Sequence, residues 1–243
     1  MVKQCESIRH AVRSPLLESL FPSAIVACEL TALGSTHQLL PDERATLGAA
    51  VPKRVAEFAA GRQCAHEAMR ELGVPDHVPL LRGPHREPVW PSGLLGSLTH
   101  TEGYCAAVVG RCTDCAGLGI DAERLGSVET DLWPHVFVEA ETAALRALDA
   151  TDRATLSTVL FSAKEAFFKS QFQLSALTPE FTAVALRPVG PVGIQGTLEV
   201  TWVADGRLTA IANQVVLRYA LHGPWAVVGA TIPAVVSTPD ARL

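Results

Sequence analysis

The chain has 243 residues, 48% of them apolar and 19% charged, and its 20 lysines and arginines against 25 aspartates and glutamates leave a formal charge of −5. A chain of this length buries roughly 70–75% of its unfolded surface, and the composition excludes disorder, collagen and coiled coil as the main state. The acidic balance speaks against a nucleic-acid coat, and no run of about 18 apolar residues reads as a membrane span. Six cysteines (Cys5, Cys28, Cys64, Cys105, Cys112, Cys115) are too sparse for a disulfide scaffold. The N-terminus lacks the basic-then-apolar order of a signal peptide, so a cytoplasmic protein with reduced thiols is expected.

Residues 1–24 carry no clear period, and Ala24 to Leu30 reads as a strand. Pro41-Asp42-Glu43 opens a helical stretch, Pro52 starts a second helix running to about Leu72, and Gly73 stops it. Residues 75–96 read as loop. Gly96 to Val109 reads as strand, turn and strand around Glu102-Gly103, and Leu118 to Glu123 as a further strand. A loop over 124–136 precedes helices over 139–148 and 152–173. Four strands are then expected: Thr182–Leu186, Thr197–Val203, Leu208–Leu221 and Trp225–Ile232, with Asp205-Gly206 as the hairpin turn between the second and third. The tail after Pro233 reads as loose. Both halves run from a long helix into strands, and setting Arg54–Met69 on Ser157–Phe172 aligns Phe58 with Phe161 and Ala60 with Ala163. The expectation is two related α+β halves, 1–120 and 121–243, with a ligand between them, where clefts are common.

At about 100° per residue, Lys164, Phe168, Phe172, Glu165 and Lys169 share one side of the later helix. Leu156, Val159, Leu160, Ala163, Ala166 and Phe167 form its buried side. Glu165 and Lys169 make sense as a solvated i, i+4 pair, but two phenylalanines beside them point to something that docks there. Asp121 and Glu123, two apart on a strand, face the same way. Either they are two solvated acids at a strand end, or they are oxygen ligands of the kind Mg²⁺ prefers, with Glu165 as a third. On the earlier helix Arg62 falls inside the stripe of Val55, Phe58, Ala65, Met69 and Leu72. A buried guanidinium there needs an internal partner such as Glu57 or Glu67, or an anionic ligand. Arg82 and Arg86 flank a Gly-Pro-His segment as loop arginines. His100, ending Gly96-Ser97-Leu98-Thr99-His100, caps a turn or meets a phosphate. Cys112-Thr-Asp-Cys115 has no second pair at zinc-finger spacing and reads as a loop. Together these residues describe Mg²⁺-assisted phosphoryl chemistry on a multiply phosphorylated small molecule.

Gly119-Ile-Asp-Ala-Glu123, followed by Phe161-Ser-Ala-Lys-Glu-Ala-Phe-Phe-Lys169, resembles the signature of Sfp-like 4′-phosphopantetheinyl transferases. Arg54-Val-Ala-Glu-Phe-Ala-Ala-Gly-Arg62, Arg86-Glu-Pro-Val-Trp-Pro91 and Gly96-Ser-Leu-Thr-His100 resemble the same class in the same order, so the likeness covers roughly residues 50–175. The resemblance implies two α+β halves related by a pseudo-two-fold axis, with coenzyme A between them. It implies Mg²⁺, with Mn²⁺ as a substitute, held by Asp121, Glu123 and Glu165. Lys164 and Lys169 would sit near the phosphates, and Arg54, Arg62, Arg86, Thr99 and His100, with Arg82 as a lesser contributor, would hold the 3′-phosphate, adenine side or pyrophosphate. Glu165, or a water it orients, would take the proton of a carrier-protein serine, with Lys169 as the other catalytic group, and adenosine 3′,5′-bisphosphate would leave. Phe168, Phe172 and apolar residues of the 124–138 loop would meet a helix of an apo acyl or peptidyl carrier from peptide, polyketide or siderophore biosynthesis. The enzyme would be a monomer with no nucleic-acid or membrane partner. Gln173 stands where many members have proline. Two other functions share these residues, a Mg²⁺-dependent nuclease and a non-catalytic coenzyme-A-binding protein.

Overall fold

A computed structural model describes residues 11–31 and 38–234. Cys5, most of the N-terminal segment and nearly all of the tail after Pro233 lie outside the described residues.

Strand β1 (Val12–Arg13), helix α1 (Pro15–Leu20) and strand β2 (Val26–Leu30) come first, with Ser14 capping α1. The short helix α2 (Pro41–Ala45) precedes the long helix α3 (Pro52–Glu71). Pro52 sits in the first turn of α3, where a missing N–H costs nothing, and Gly73 takes a φ of 86° just past its end. The expected loop over 75–96 contains a small ribbon, β3 (Leu81–Arg82) and β4 (Pro88–Val89), before β5 (Leu94–Thr101) turns at Gly103 into β6 (Tyr104–Arg111). Strand β7 (Cys115–Arg124) follows.

The expected loop over 124–136 instead holds a 3-10 turn at Thr130–Leu132 and helix α4 (Trp133–Val136), because Val128, Trp133 and Val136 are drawn into the core. Helices α5 (Glu139–Arg146) and α6 (Ala150–Ser175) come next, the latter capped by the Asp149 carboxylate, which accepts from the Thr151 and Asp152 N–H groups. Strands β8 (Val184–Pro188), β9 (Gln195–Val203), β10 (Val216–His222) and β11 (Trp225–Pro233) complete the fold. The expected strand over 208–221 is helical in its first part, α7 (Thr209–Ala212). Asp205 caps the 3-10 turn leading into it, accepting from the Arg207 N–H, and makes no tight hairpin.

The protein is α+β. One sheet runs in the order β1-β2-β6-β5 and carries α3; the other runs β7-β11-β10-β9-β8 and carries α6. One apolar cluster lies under α3, one under α6, and a third joins residues of both sheets with Leu17, Leu20 and Phe21 of α1. Among the described residues no helix is long and apolar enough to cross a membrane.

The sheets meet edge to edge along β5 and β7. No backbone ladder closes this seam. The Leu118 N–H donates to Gln173 Oε1 (3.2 Å), the Ile120 N–H to Ser97 Oγ (3.1 Å), and the Ala122 N–H to Thr99 Oγ1 (3.1 Å). Three successive outward donors of an edge strand are thereby satisfied by side chains, which removes the cost of an open edge. Gln173 Nε2 also donates to the Leu118 and Gly96 carbonyls, tying α6 to both strands.

Helix α6 lies directly on β7 because Gly117 and Gly119 present no side chain. A Cβ on Gly119 would stand 1.9 Å from the Ala166 carbonyl oxygen, and one on Gly117 2.5 Å from that of Ser170.

Two buried glutamates repeat one arrangement. Glu43, the third residue of α2, accepts from the Leu40 N–H (3.1 Å), the Leu80 N–H (2.9 Å) and His66 Nε2 on α3 (2.8 Å). Glu141, the third residue of α5, accepts from the Val138 N–H (2.9 Å), the Leu186 N–H (2.8 Å) and Lys164 Nζ on α6 (2.7 Å).

Two predictions follow from this packing. Gly119→Ala forces backbone against backbone and should cost about 1–3 kcal/mol in chemical denaturation; an unchanged midpoint would show that α6 can lift from β7 freely. Burial raises the Glu43 carboxyl, but the His66 and backbone hydrogen bonds outweigh it and hold it below its ordinary 4.5. A carboxyl lowered in the folded state stabilises above that value and loses its contribution as pH falls through it. Glu43→Gln should therefore flatten the fall of stability with acid below about pH 4.5, and an identical acid limb in both proteins would contradict this.

Candidate active site

A cavity of about 820 Å³ opens between the two sheets' helices, lined from the first half by Arg54, Arg62, Arg82, Arg86, Thr99 and His100 and from the second by Glu165 and Lys169. Its size falls within the roughly 300–1,000 Å³ of small-molecule sites. Eight of the eleven residues singled out in the sequence therefore line one space; Asp121, Glu123 and Lys164 do not.

Four arginines are among the lining residues. Arg62 is buried, its guanidinium 4.2 Å over the Phe58 ring and its Nε 3.8 Å from Glu43 Oε1. The internal partner is thus Glu43 on the preceding helix, not Glu57 or Glu67, and among the described residues Arg62 Nε has no hydrogen-bond acceptor. Burial pulls the guanidinium down to about 10, with Glu43 opposing and Arg82 adding to the fall. Arg62 stays charged at neutral pH and under-compensated, which is the condition of a group awaiting an anion. The β3–β4 ribbon carries Arg82 and Arg86 alongside. Arg86 sits at a φ of 70°, a conformation that costs a non-glycine residue about 1–3 kcal/mol. His85 on the same ribbon meets Phe172 of α6 edge-on across the cavity, with centroids 5.6 Å apart.

On the α3 side Arg54 Nη1 lies 2.7 Å from His100 Nε2, and Glu57 Oε2 is 3.5 Å and 3.6 Å from these two groups. Burial and then Arg54 lower the His100 imidazole, and a guanidinium can only donate, so the Arg54 contact is made when His100 Nε2 is unprotonated.

The acids sit at the seam. Asp121 Oδ1 accepts from Lys169 Nζ (2.7 Å) and Thr99 Oγ1 (3.2 Å), and Oδ2 from Ser162 Oγ (2.9 Å). Lys169 also donates to the Ile120 carbonyl (3.1 Å). Glu123 is pushed up to about 7 by burial and by Asp121, with Lys169 opposing and Glu165 adding to the rise. Glu165 is raised as well, by burial first, then by Asp121 against Lys169. Three carboxylates thus lie in one another's field with a single ammonium between them, a surplus of negative charge made of hard oxygen donors. In kind and in charge this set fits a divalent cation such as Mg²⁺. The structure does not gather the three into a coordination shell. Asp121 is engaged by Lys169, and among the described residues no three His, Cys, Asp or Glu side chains form a metal-holding group.

Lys164 is the clear correction. It is fully buried, and its ammonium donates to Glu141, to the Val136 carbonyl (2.8 Å) and to the Phe181 carbonyl (3.0 Å), away from the cavity. Helical spacing set it beside Glu165, but Glu141 on α5 supplies a counter-charge that no local pattern reveals. Phe168 and Phe172, expected to meet a carrier helix, lie on the cavity wall. Phe168 packs edge-on against Phe181 at 5.4 Å. In the 124–138 segment Val128, Trp133, Val136 and Phe137 are core, leaving Leu132 and Pro134 exposed. Leu125 and Val138 of the same segment are half-buried.

Three contributors escaped the sequence reading. Ser162 sits two turns before Lys169 on the same face of α6, a spacing that could have found it. Gln173 and His85 act across the fold and have no local signal.

A family model described as the 4′-phosphopantetheinyl transferase N-terminal domain matches residues 42–110, and one described as the 4′-phosphopantetheinyl transferase superfamily matches residues 117–212. The 4′-phosphopantetheinyl transferase Npt of Nocardia iowensis is 33% identical over 161 residues, covering 66% of this chain and 71% of that protein. The chain belongs to the 4′-phosphopantetheinyl transferase family. It is 41% identical over 154 residues to the 4′-phosphopantetheinyl transferase Svp of Streptomyces mobaraensis and 41% identical over 140 residues to the 4′-phosphopantetheinyl transferase PptT of Mycobacterium tuberculosis, covering 61% and 56% of this chain. The matches span 60% and 59% of those two proteins' lengths. A solved structure of Thermotoga maritima holo-[acyl-carrier-protein] synthase is similar at 22% identity with a TM-score of 0.33, covering 49% of this chain and 64% of that one.

The two lysines should separate by experiment. Lys164→Ala leaves Glu141 buried and unpaired and should cost about 3–5 kcal/mol of stability, whereas Lys169→Ala, at a partly exposed position, should cost clearly less in the same urea titration. A Lys164→Ala variant as stable as the wild type would return Lys164 to the list of ligand-binding groups.

Proposed function

We propose that the protein transfers the 4′-phosphopantetheine group of coenzyme A to a serine hydroxyl of an apo acyl or peptidyl carrier protein, releasing adenosine 3′,5′-bisphosphate. The observation that carries this reading is the polarity of the cavity. Its wall carries a buried Arg62 with Arg82 in its field, and Lys169 and Glu165 beside the carboxylate of Asp121. A dinucleotide-like molecule with a terminal phosphate and an internal pyrophosphate matches charges distributed in this way.

Arg54, Arg62, Arg82, Arg86, Thr99 and His100 would hold the 3′-phosphate, adenine side and pyrophosphate. The β3–β4 ribbon would bring Arg86 to the phosphates, a gain that offsets its strained backbone. Mg²⁺ or Mn²⁺, held by Asp121, Glu123 and Glu165, would neutralise charge on the pyrophosphate. Lys169 Nζ would stabilise charge on the transferring phosphoryl group. Glu165, or a water it orients, would take the serine proton. Electrons flow from the serine oxygen to the β-phosphorus, and the bond to the bridging oxygen breaks to release the bisphosphate.

We also propose that the halves 1–120 and 121–243 are related by a pseudo-two-fold axis with the ligand cleft between them. The twin glutamates support this, since Glu43 with Leu40 and His66 matches Glu141 with Val138 and Lys164 without a gap. That register pairs Arg54 with Asp152, not with Ser157 as the helix comparison set it. The carrier, the pathway it serves, a monomeric state and a cytoplasmic location belong to the same proposal.

Incubation with coenzyme A, Mg²⁺ and a panel of apo carrier proteins should add the mass of one phosphopantetheinyl group to at least one carrier. Lys169→Ala should slow this by about 10²–10³-fold. No mass gain on any carrier, with coenzyme A bound but unconsumed, would leave a non-catalytic binding protein instead. Nicking of plasmid DNA under the same conditions would point to a nuclease.

A further inference from the structure

We propose that Ser162 is a positioning residue for the transfer, holding the Asp121 carboxylate in a fixed rotation from which it meets a divalent cation. The inference rests on the transferase reading above and adds a residue to it. Ser162 lies on α6, fully buried, and its Oγ–H donates to Asp121 Oδ2 at 2.9 Å. Glu165 follows about one turn later and Lys169 about two turns later, so the three share one face of the helix.

A buried serine in a helix has a ready partner in the carbonyl one turn back. Ser157 and Thr158 of α6 use it, donating to the Ala154 carbonyl at 3.1 Å and 2.8 Å, and so does Ser170, donating to the Phe167 carbonyl at 2.8 Å. Ser162 instead crosses to β7. Its short side chain reaches because Gly117 and Gly119, on the same face of β7 as Asp121, let the helix come down onto the strand.

A carboxylate offers about four acceptor sites, two on each oxygen. Lys169 Nζ at 2.7 Å and Thr99 Oγ1 at 3.2 Å take up Oδ1. Among the described residues Ser162 is the donor to Oδ2, and one site on that oxygen is left for a cation. The two α6 donors differ in kind. Lys169 is half-buried on a flexible stem and can follow the acid as it turns, whereas Ser162 is buried and a single staggered torsion places its Oγ. Without the Ser162 bond the carboxylate is free to turn both oxygens toward the Lys169 ammonium, which competes with the cation for the same charge. A partner that fixes the orientation of a metal-binding group typically carries about 10–100-fold in metal affinity.

The test compares the wild type with Ser162→Ala, which removes only the hydroxyl, and with Ser162→Cys, which keeps a side chain there and weakens the donor. Mn²⁺ binding is followed by loss of the free-ion EPR signal in the presence of coenzyme A, and coenzyme A binding by calorimetry in EDTA. Each variant should raise the Mn²⁺ dissociation constant by about tenfold or more and leave the metal-free coenzyme A affinity unchanged. Ser162→Cys carries the test if Ser162→Ala does not fold. Variants that bind Mn²⁺ as tightly as a binding wild type would overturn the assignment and leave the transferase reading standing. An equal loss of metal-free coenzyme A affinity would show Ser162 to be structural and overturn it as well. A wild type that binds no Mn²⁺ would remove the metal reading of the site and this inference together.

Discussion

The candidate site depends on a seam that has no backbone ladder. Strands β5 and β7 are edges of different sheets, and an unpaired edge is costly when buried. Ser97, Thr99 and Gln173 satisfy the outward N–H groups of β7 one after another. Thr99 does this while also donating to Asp121, so the bond that closes the seam also sets the orientation of the acid. From the other side, Gly117 and Gly119 let α6 descend until Lys169 reaches Asp121 and the Ile120 carbonyl. The pairing of Asp121 with Lys169 is therefore a consequence of how two sheets and one helix are fitted together.

Charge in this molecule falls into two kinds. Glu43 and Glu141 are buried and fully engaged, each stitching a short helix to a distant backbone N–H and to a basic side chain on the long helix that follows. They organise each half. The groups around the large cavity are left in imbalance, with too little negative charge near Arg62 and too much near Glu123 and Glu165. Balanced charge holds a fold together, and unbalanced charge at a cavity wall recruits a ligand of the opposite sign.

Much of this was legible in the sequence where the signal is local. Pro52 and Gly73 bracket α3, and the strand–turn–strand pattern around Glu102-Gly103 marks a hairpin. The residue types at Arg62, His100, Glu165 and Lys169 pointed to phosphate chemistry, the family resemblance added Arg54 and Thr99, and the fold brings all six to one cavity. What failed was non-local. Lys164 lies on the same stretch of α6 as Glu165, and only the arrival of Glu141 from α5 takes it out of the cavity. Arg62 found Glu43, which no helical spacing predicts. The stretch 208–221 reads as a strand, yet Asp205 caps a turn that starts it as helix. Gln173 looked like a departure of local consequence because its hydrogen bonds reach two strands far away in sequence.

The most direct measurement is a crystal structure of the chain with coenzyme A and Mg²⁺. The account predicts the 3′-phosphate against Arg62 and Arg82, the pyrophosphate beside Lys169, and an ion bound by Asp121 with Glu123 and Glu165. A nucleotide seated outside this cavity, or an Asp121 still held by Lys169 with no ion beside it, would contradict the account.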